Sequence, residues 1–266
     1  MTDNSDLQEY LNVAREAAYK GGAVLLRHWR RLKEVNVKGE SDLVTIADKE
    51  SEEVVLGIIK GHYPNHGIIA EESGAHCAVE GCTFLWAVDP LDGTTNYAHG
   101  YPEFAVSIAL LEDGEPIVGV VYEPIPELLF HATLDGGAFL NGELISVSAV
   151  SRLKEALLIS GYFMSDPSTS ANVSEMSRLD EVSHGVRKTG AAAVNLVDLA
   201  NGSIDGFWYR GLKIWDIAAG ALIVREAGGK VTNYRGKSPD WTGGEVIASN
   251  DRIHNELIEA LESYEA

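Results

Sequence analysis

Two aspartates at the end of an apolar run are the residues in this sequence best suited to chemistry. Asp89 and Asp92 lie three residues apart in the segment WAVDPLDGTTNYAHG, residues 86–100. Asp-Pro and Asp-Gly pairs are common in turns, because Asp hydrogen-bonds its own backbone and Gly accepts a positive φ. The same two carboxylates would also supply the oxygen ligands that hard divalent cations require. The residues alone leave both interpretations open.

The spacing of these aspartates excludes two other kinds of site. A calcium EF-hand loop needs oxygen ligands at alternate positions and a Glu at the twelfth position. Counted from Asp89, the twelfth residue is Gly100. Phosphatases that form an aspartyl-phosphate place their two aspartates at i and i+2, whereas these lie at i and i+3. The segment therefore matches neither pattern.

Strands and helices alternate around this segment, which predicts a layered α/β arrangement. Apolar residues recur at helical spacing over residues 7–32, where Gly21-Gly22 predicts a kink or close packing. A soft boundary near residue 150 divides the chain into a mixed α+β half, 1–150, and a more regular α/β half, 151–266. We expect strands at 67–70, 84–88, 104–111, 117–122, 128–132, 157–160, 204–209 and 246–249, and further helices at 45–60, 170–179, 191–200, 216–227 and 253–263.

Composition limits the classes of partner. The chain has 266 residues with 40 acidic and 21 basic side chains, for a formal net charge of −19. Such a charge repels a phosphate backbone, so we expect no nucleic-acid partner. No apolar stretch reaches membrane-spanning length, and the polar, acidic N-terminus lacks the basic flank of a signal peptide. We therefore expect a cytoplasmic protein without a membrane partner, in which Cys77 and Cys82 are reduced.

A set of ordered motifs resembles the inositol monophosphatase family, within the larger group of magnesium-dependent, lithium-sensitive phosphatases. The motifs are DLVTIAD at 42–48, IIAEES at 68–73, WAVDPLDGTTNY at 86–97 and WDIAAG at 215–220. A fifth stretch, GAAAVNLVDLANGSIDGFW from Gly190, is similar to the substrate-side helix and strand of that family. The resemblance covers nearly the whole chain. It implies a five-layer α-β-α-β-α sandwich of the inositol monophosphatase and fructose-1,6-bisphosphatase type, with the site between the two halves, and a homodimer.

The resemblance also implies a set of metal ligands. Glu71, Asp89 and the backbone carbonyl of Leu91 would hold one Mg²⁺. Asp89 would bridge to a second Mg²⁺, which Asp92 and Asp216 complete. A third, weaker ion would associate with Glu71 through water. Hydrolysis of a phosphate monoester depends mostly on positioning and on neutralising negative charge, and divalent cations supply the neutralisation.

Catalytic and substrate-binding roles follow from the same resemblance. Asp48 and the Thr94 hydroxyl would orient and deprotonate a water that attacks phosphorus in line, with Glu71 as the third catalytic residue. Gly93 and Thr94 would begin a short helix whose N–H groups bind a phosphate oxygen. The substrate contacts that the resemblance implies are Glu71, Leu91, Asp92, Gly93, Thr94, Gly190, Ala191, Ala192, Tyr209 and Asp216.

One departure from the family bears on the substrate. The motif DGTTNY resembles the inositol monophosphatase branch, which predicts a Mg²⁺-dependent phosphatase of inositol-1-phosphate or similar sugar monophosphates. In that branch a Glu usually precedes the last metal aspartate by seven residues, and here Tyr209 occupies the position. Its neighbour Arg210 would either reach a second phosphate or form a surface salt bridge. The alternatives are fructose-1,6-bisphosphatase activity, alone or as a second activity, and a catalytically silent binding protein on the same scaffold.

Several of these residues also have a purely structural interpretation. Asp216 precedes the apolar run IAAGALIV, so it would serve equally well as a helix N-cap. Asp48 would otherwise be an ordinary exposed helix residue, and Asp205 is assigned to a turn. Lys38 would approach the site as a basic loop residue does in the family. A silent scaffold is expected to have lost metal carboxylates or the Thr, and here all of them are present.

Overall fold

The structure is a computed structural model, and it describes residues 2–31, 36–37, 43–76, 82–162, 169–241 and 244–262. Two sheets, of eight and five strands, and a separate pair of short strands account for the β-structure of these residues. The helices are α1 (Asn4–His28), α2 (Ile46–His62), α3 (Thr94–Ala98), α4 (Thr169–Val182), α5 (Ala192–Ala200), α6 (Ile214–Glu226) and α7 (His254–Glu262). The strands are β1 (Asn36–Val37), β2 (Leu43–Val44), β3 (Gly67–Ala70), β4 (Gly74–His76), β5 (Phe84–Asp92), β6 (Ala105–Glu112), β7 (Glu115–Glu123), β8 (Leu128–Thr133), β9 (Gly137–Leu140), β10 (Glu143–Leu144), β11 (Leu157–Ser160), β12 (Gly185–Arg187), β13 (Gly206–Leu212), β14 (Lys230–Thr232) and β15 (Gly244–Ser249).

The layers follow from where each helix buries its apolar face. Helices α1 and α2 cover one face of the eight-stranded sheet, whose strand order is β10-β9-β8-β7-β6-β5-β3-β4. Helices α5 and α6 fill the space between that sheet and the five-stranded sheet, ordered β12-β11-β13-β15-β14. The far side of the smaller sheet is closed by α4 and α7. The predicted α-β-α-β-α sandwich is confirmed.

Small residues let the middle layer pack closely. The core between the two sheets is rich in alanine from β5, β6, α5 and α6. A Cβ at Gly119 of β7 would lie only 2.7 Å from the Ala219 carbonyl oxygen of α6, so no larger residue fits there without movement. Close packing also explains Gly21 and Gly22, because α1 is one continuous helix and a Cβ at Gly22 would meet the Tyr122 ring at 2.6 Å.

The described strands that the sequence did not predict are short ones. β1, β2, β4, β9, β10, β12 and β14 contain two to four residues each, too few for an alternating pattern to stand out. Most predicted boundaries differ from the observed ones by one to four residues, and one of these differences bears on the site. The strand expected at 84–88 continues to Asp92, so the two aspartates lie inside β5 and not in a turn that follows it.

Candidate active site

The site begins with a bulge in β5. Asp89 pairs with Ser107 and Asp92 pairs with Ala105, so three steps along β5 match two steps along β6. In a regular strand, residues three apart face opposite sides of the sheet. The extra residue of a β-bulge removes that alternation, and both carboxylates therefore face the layer that contains α5 and α6. The simple turn interpretation was wrong, and the bulge explains why the sequence uses a spacing of three.

Glu71 and Asp216 complete a cluster of four carboxylates. Glu71 follows β3, and its N–H donates to the Val88 carbonyl of β5, which holds the end of one strand beside the other. Asp216 lies in the first turn of α6, where its side chain accepts from the Lys213 N–H at 2.7 Å. Asp216 is thus the third residue of its helix and not the N-cap, which is Lys213.

Two carboxylates of the cluster are buried, two are half-buried, and all four repel one another. Asp89 is 2% exposed and Asp92 is 7% exposed. Burial, then repulsion from Glu71, Asp92 and Asp216, raises the pKa of Asp89 well above its usual value. Burial likewise raises the pKa of Asp92 to about 7, against the lowering effect of three backbone N–H donors. For Asp216 the pKa rises to about 7, again chiefly through burial, and the Lys213 charge offsets only part of the effect.

These carboxylates fit a hard divalent cation. Among the described residues, no three acidic, histidine or cysteine side chains stand in a complete coordination geometry, and Glu71 and Asp89 share a side-chain hydrogen bond instead. The donor set consists of oxygens alone, which suits Mg²⁺, Ca²⁺ or Mn²⁺ better than softer metals. A divalent cation would also reverse the repulsion that raises these pKa values, because it favours the ionised carboxylates.

A second pair of residues lies next to the bulge. The Thr94 hydroxyl, at the start of α3, is 3.2 Å from Asp48 Oδ1 and 3.0 Å from the Leu91 carbonyl oxygen. Asp48 is completely buried in the first turn of α2, so its interpretation as an ordinary exposed residue was wrong. Gly93 precedes α3 with φ 88°, and a Cβ there would lie 2.8 Å from the Glu103 carbonyl oxygen. Glycine is therefore required at this corner.

The substrate-side segment is tied directly to the bulge. The Asp92 carboxylate accepts from the N–H groups of Ala192 (2.9 Å), Ala193 (2.8 Å) and Val194 (3.3 Å) at the start of α5. Gly190 and Ala191 precede that helix, and Gly190 has φ 92°. The predicted contact residues Gly190, Ala191 and Ala192 therefore adjoin the acidic cluster, and the Ala192 N–H is already engaged by Asp92.

Tyr209 and Arg210 point to opposite faces of β13. Tyr209 is 7% exposed and packs with Phe207 on the face of the sheet that is covered by α5 and α6. A Cβ at Gly161 would lie 2.7 Å from its ring, so glycine there makes room for the tyrosine.

Arg210 forms an ion pair that is buried and not on the surface. It donates to Glu175 at 2.9 and 3.2 Å, contacts Glu245, and lies 3.9 Å above the Tyr234 ring. Its side chain is 14% exposed and that of Glu175 only 2% exposed. The guanidinium is therefore committed to this network and does not face the acidic cluster.

The sequence missed several residues that hold the site together. Ser51 of α2 donates to the Pro90 carbonyl at 3.1 Å, and Glu52 accepts from the Glu72 N–H at 2.9 Å. The Asn96 amide donates to the carbonyls of Glu103 and Thr189, both at 2.9 Å. Each lies beside a recognised motif, but nothing in its own residue type or spacing indicates its partner.

Other predicted residues fall outside the site. The Asp205 carboxylate accepts from the Ser148 hydroxyl and the Leu157 N–H and so fixes the start of β11. Lys38 and Cys77 lie outside the described residues. In the described part of the chain, no helix combines the length and apolarity needed to cross a bilayer.

Comparison with known proteins gives the same assignment as the site. A model of the inositol monophosphatase family matches residues 6–266. The chain is 45% identical over 259 residues to an inositol-1-monophosphatase of Synechocystis sp., an alignment that covers 97% of this chain and 90% of the relative. It is 38% identical to the Nus factor SuhB of Pseudomonas aeruginosa, with 97% of each chain covered.

A solved structure extends the match to three dimensions. The inositol monophosphatase of Anabaena (Nostoc) sp. superposes with a TM-score of 0.89 at 43% identity, and 97% of each chain is covered. The family match spans nearly the whole sequence, and the fold agrees over the same length. The chain therefore belongs to the inositol monophosphatase family, whose members are metal-dependent phosphatases that act on small phosphorylated substrates.

Proposed function

We propose that this protein is a Mg²⁺-dependent phosphatase that hydrolyses inositol-1-phosphate, or a similar sugar monophosphate, to the alcohol and inorganic phosphate. The observation that carries the proposal is the cluster of Glu71, Asp89, Asp92 and Asp216 with the Asp48–Thr94 pair beside it. A silent scaffold would have no use for four adjacent carboxylates that repel one another, because replacing them would relieve the repulsion.

Two or three Mg²⁺ ions per site are part of this proposal. Glu71, Asp89 and the Leu91 carbonyl would hold one ion, and Asp89 would share a second with Asp92 and Asp216. Glu71 would also hold the third through water. When bound, Mg²⁺ supplies positive charge that stabilises the phosphoryl group and lowers the pKa of water. The support for this donor set is that its side chains are all oxygen ligands and lie on three elements that meet at the bulge.

The protein's own residues would orient the attack. The Thr94 hydroxyl is within hydrogen-bonding distance of Asp48 Oδ1, so Asp48 would accept the Thr94 proton while Thr94 accepts one from the attacking water. The N–H groups of Gly93 and Thr94 would bind a phosphate oxygen. Glu71 would be the third catalytic residue. No covalent phospho-enzyme is expected, because water is the nucleophile and Asp48 and Thr94 only orient and deprotonate it.

The substrate is a monophosphate in this proposal. Gly190, Ala191, Ala192 and Tyr209 would contact the sugar hydroxyls, and the Tyr209 phenol would replace the usual carboxylate as donor and acceptor. A second phosphate would need a cation, and Arg210 is already engaged by Glu175. Arg210, the residue that favoured fructose-1,6-bisphosphatase activity, is therefore not free to bind a second phosphate. That activity remains the alternative to be measured.

Three further expectations belong to the same proposal. A cytoplasmic location and a homodimer are implied by the sequence and the family resemblance. The division into halves 1–150 and 151–266 is supported by the strands, since those of the eight-stranded sheet precede residue 150 and those of the five-stranded sheet follow it. The active site would then lie where α5 and α6 of the second half meet β5 of the first.

The test is phosphate release from inositol-1-phosphate and fructose-1,6-bisphosphate in parallel, with Mg²⁺ and with EDTA. We expect EDTA-sensitive release with preference for the monophosphate, and loss of that release in Asp89→Asn. The matched control is Asp113→Asn, which changes an exposed hairpin aspartate with φ 50° and should leave the rates unchanged. Full Mg²⁺-dependent activity in Asp89→Asn would refute the metal mechanism. Absence of EDTA-sensitive release from both substrates would refute the proposed reaction.

A further inference from the structure

Thr45 holds one oxygen of Asp48 with two donors. Its backbone N–H lies 2.8 Å from Asp48 Oδ2, and its hydroxyl lies 2.5 Å from the same oxygen. Thr45 is 1% exposed and Asp48 is completely buried, so no solvent competes for these bonds. Because both donors act on Oδ2, the other oxygen, Oδ1, is left facing Thr94.

This arrangement decides where the Thr94 proton goes. A hydroxyl has one proton, and Thr94 has two acceptors at similar distances, Asp48 Oδ1 at 3.2 Å and the Leu91 carbonyl at 3.0 Å. An ionised carboxylate is the stronger acceptor. The Thr94 hydroxyl therefore donates to Asp48 only while Asp48 is ionised and its Oδ1 keeps this position.

Burial works against that ionisation. It raises the pKa of Asp48, while the bonds from Thr45, and more weakly that from Thr94, lower it. Among the described residues, Tyr97 of α3 also interacts with Asp48, but its hydroxyl donates to the Leu25 carbonyl at 2.6 Å and so points away from the pair. Thr45 is therefore the main local source of donors that favour the carboxylate.

We propose that Thr45 is a positioning residue of the phosphatase reaction, which acts by fixing the Asp48 carboxylate so that one oxygen remains directed at the Thr94 hydroxyl. This inference rests on the proposed function, because it gives Asp48 and Thr94 a catalytic task. Thr45 itself does not touch the reacting atoms.

The competing explanation is that Thr45 only caps α2. Its oxygen does accept from the N–H groups of Ala47 at 3.1 Å and Asp48 at 3.4 Å. A cap affects stability alone, and α1 provides a matched case. Asp3 caps α1 by accepting from Ser5 and Asp6, far from the acidic cluster in sequence and exposed to solvent.

The experiment compares kcat, KM and the pH profile for Thr45→Val, Thr45→Gly, Thr45→Ser and Asp3→Ala, with inositol-1-phosphate at saturating Mg²⁺. Thr45→Gly removes the hydroxyl but keeps an acceptable N-cap residue, so it serves if the valine variant fails to fold. We expect kcat to fall roughly 10- to 100-fold in the valine and glycine variants, the loss typical of one hydrogen bond to a charged group, with KM nearly unchanged. The acidic limb of the profile should move to higher pH, because a carboxylate with fewer donors is harder to ionise.

Two controls separate positioning from capping. Thr45→Ser should restore kcat to within about threefold, since it keeps the hydroxyl, and Asp3→Ala should lower the melting temperature without changing kcat. In an Asp48→Asn background, Thr45→Gly should cause no further loss. A normal kcat in Thr45→Gly would overturn the inference, and so would a loss of kcat in the Asp48→Asn background as large as in the wild-type background. In either case an active wild type would leave the proposed function intact. An inactive wild type would overturn both.

Discussion

Asp216→Asn is expected to make the metal-free protein more stable while abolishing its activity. Desolvation, and repulsion from Asp92, raise the pKa of this carboxylate from 3.8 to about 7. Between those pH values the folded protein binds more protons than the unfolded chain does, so the free energy of unfolding decreases as the pH rises. The penalty is complete above the folded-state pKa and disappears below the unfolded one.

The magnitude follows from the width of that interval. Each pH unit within it lowers the unfolding free energy by about 1.4 kcal/mol, so the full interval corresponds to roughly 4 kcal/mol. Asparagine keeps an oxygen for the Lys213 N–H but is a weaker acceptor than a carboxylate, so the substitution loses about 1 kcal/mol of stability at this bond. A net gain of roughly 2–3 kcal/mol corresponds to a rise in melting temperature of about 5–10 °C for a chain of this size.

The assay is thermal unfolding in EDTA at several pH values for the wild type and Asp216→Asn. The gap between the two should be largest near pH 8 and shrink towards pH 4. Added Mg²⁺ should raise the melting temperature of the wild type more than that of the variant, because the variant keeps the proposed ligands Glu71, Asp89 and Leu91 but loses one ligand of the second ion. Asp205→Asn is the control, because this buried aspartate is held by the Ser148 hydroxyl and the Leu157 N–H, and its variant should be less stable. If Asp216→Asn melts at or below the wild-type temperature near pH 8 without metal, the description of the cluster as mutually repelling is incorrect.

Three further predictions concern neighbouring residues. Gly93→Ala should lower activity at least about 100-fold, because its Cβ would clash with a backbone carbonyl. Gly228→Ala is the control, since Gly228 has a similar φ of 86° and nothing lies within 4 Å of its Cβ position. It should cost only about 1 kcal/mol of unfolding free energy in a denaturant titration and leave the rate unchanged. Glu175→Gln should destabilise the fold by roughly 1–3 kcal/mol in urea unfolding, since the remaining partner of Arg210, Glu245, is partly exposed and compensates its charge only in part. An unchanged midpoint would contradict this. Tyr209→Phe should raise KM for inositol-1-phosphate about two- to tenfold with a smaller effect on kcat, and steady-state kinetics that show no KM change would remove the phenol from the substrate site.

The layered fold and the acidic motifs could be predicted from the sequence because they depend on local patterns. Apolar runs and helical spacing indicate a layered α/β arrangement, whereas the five-layer sandwich and the set of carboxylates at the site were implied by the resemblance of short motifs to a family. The bulge could not be predicted, because a bulge is a relation between two strands. The residue types at 86–92 do not indicate that Asp89 and Asp92 pair with residues only two apart in β6.

Long-range contacts account for the other differences. Asp48 looks like a solvated helix residue until α3 is brought against α2, when Thr94 becomes its partner across 46 positions. Arg210 looks like a surface cation until α4 places Glu175 against β13. Both corrections arise from packing between elements, and neither residue lies in a local pattern that reports it.

The bonds of Asp92 to the first turn of α5 make this carboxylate a structural pin as well as a proposed metal ligand. One side chain anchors the wall that carries Gly190 and Ala191 to the strand that carries Asp89. A loss of activity in an Asp92 variant would therefore combine a missing charge with a displaced wall, and kinetics alone would not divide the two. Asp216 touches no such partner in the substrate-side segment, which makes it the better residue for isolating the electrostatic contribution. Because the donors are backbone N–H groups, most residue types at the start of α5 would preserve this connection, whereas replacing the Asp92 carboxylate would remove it.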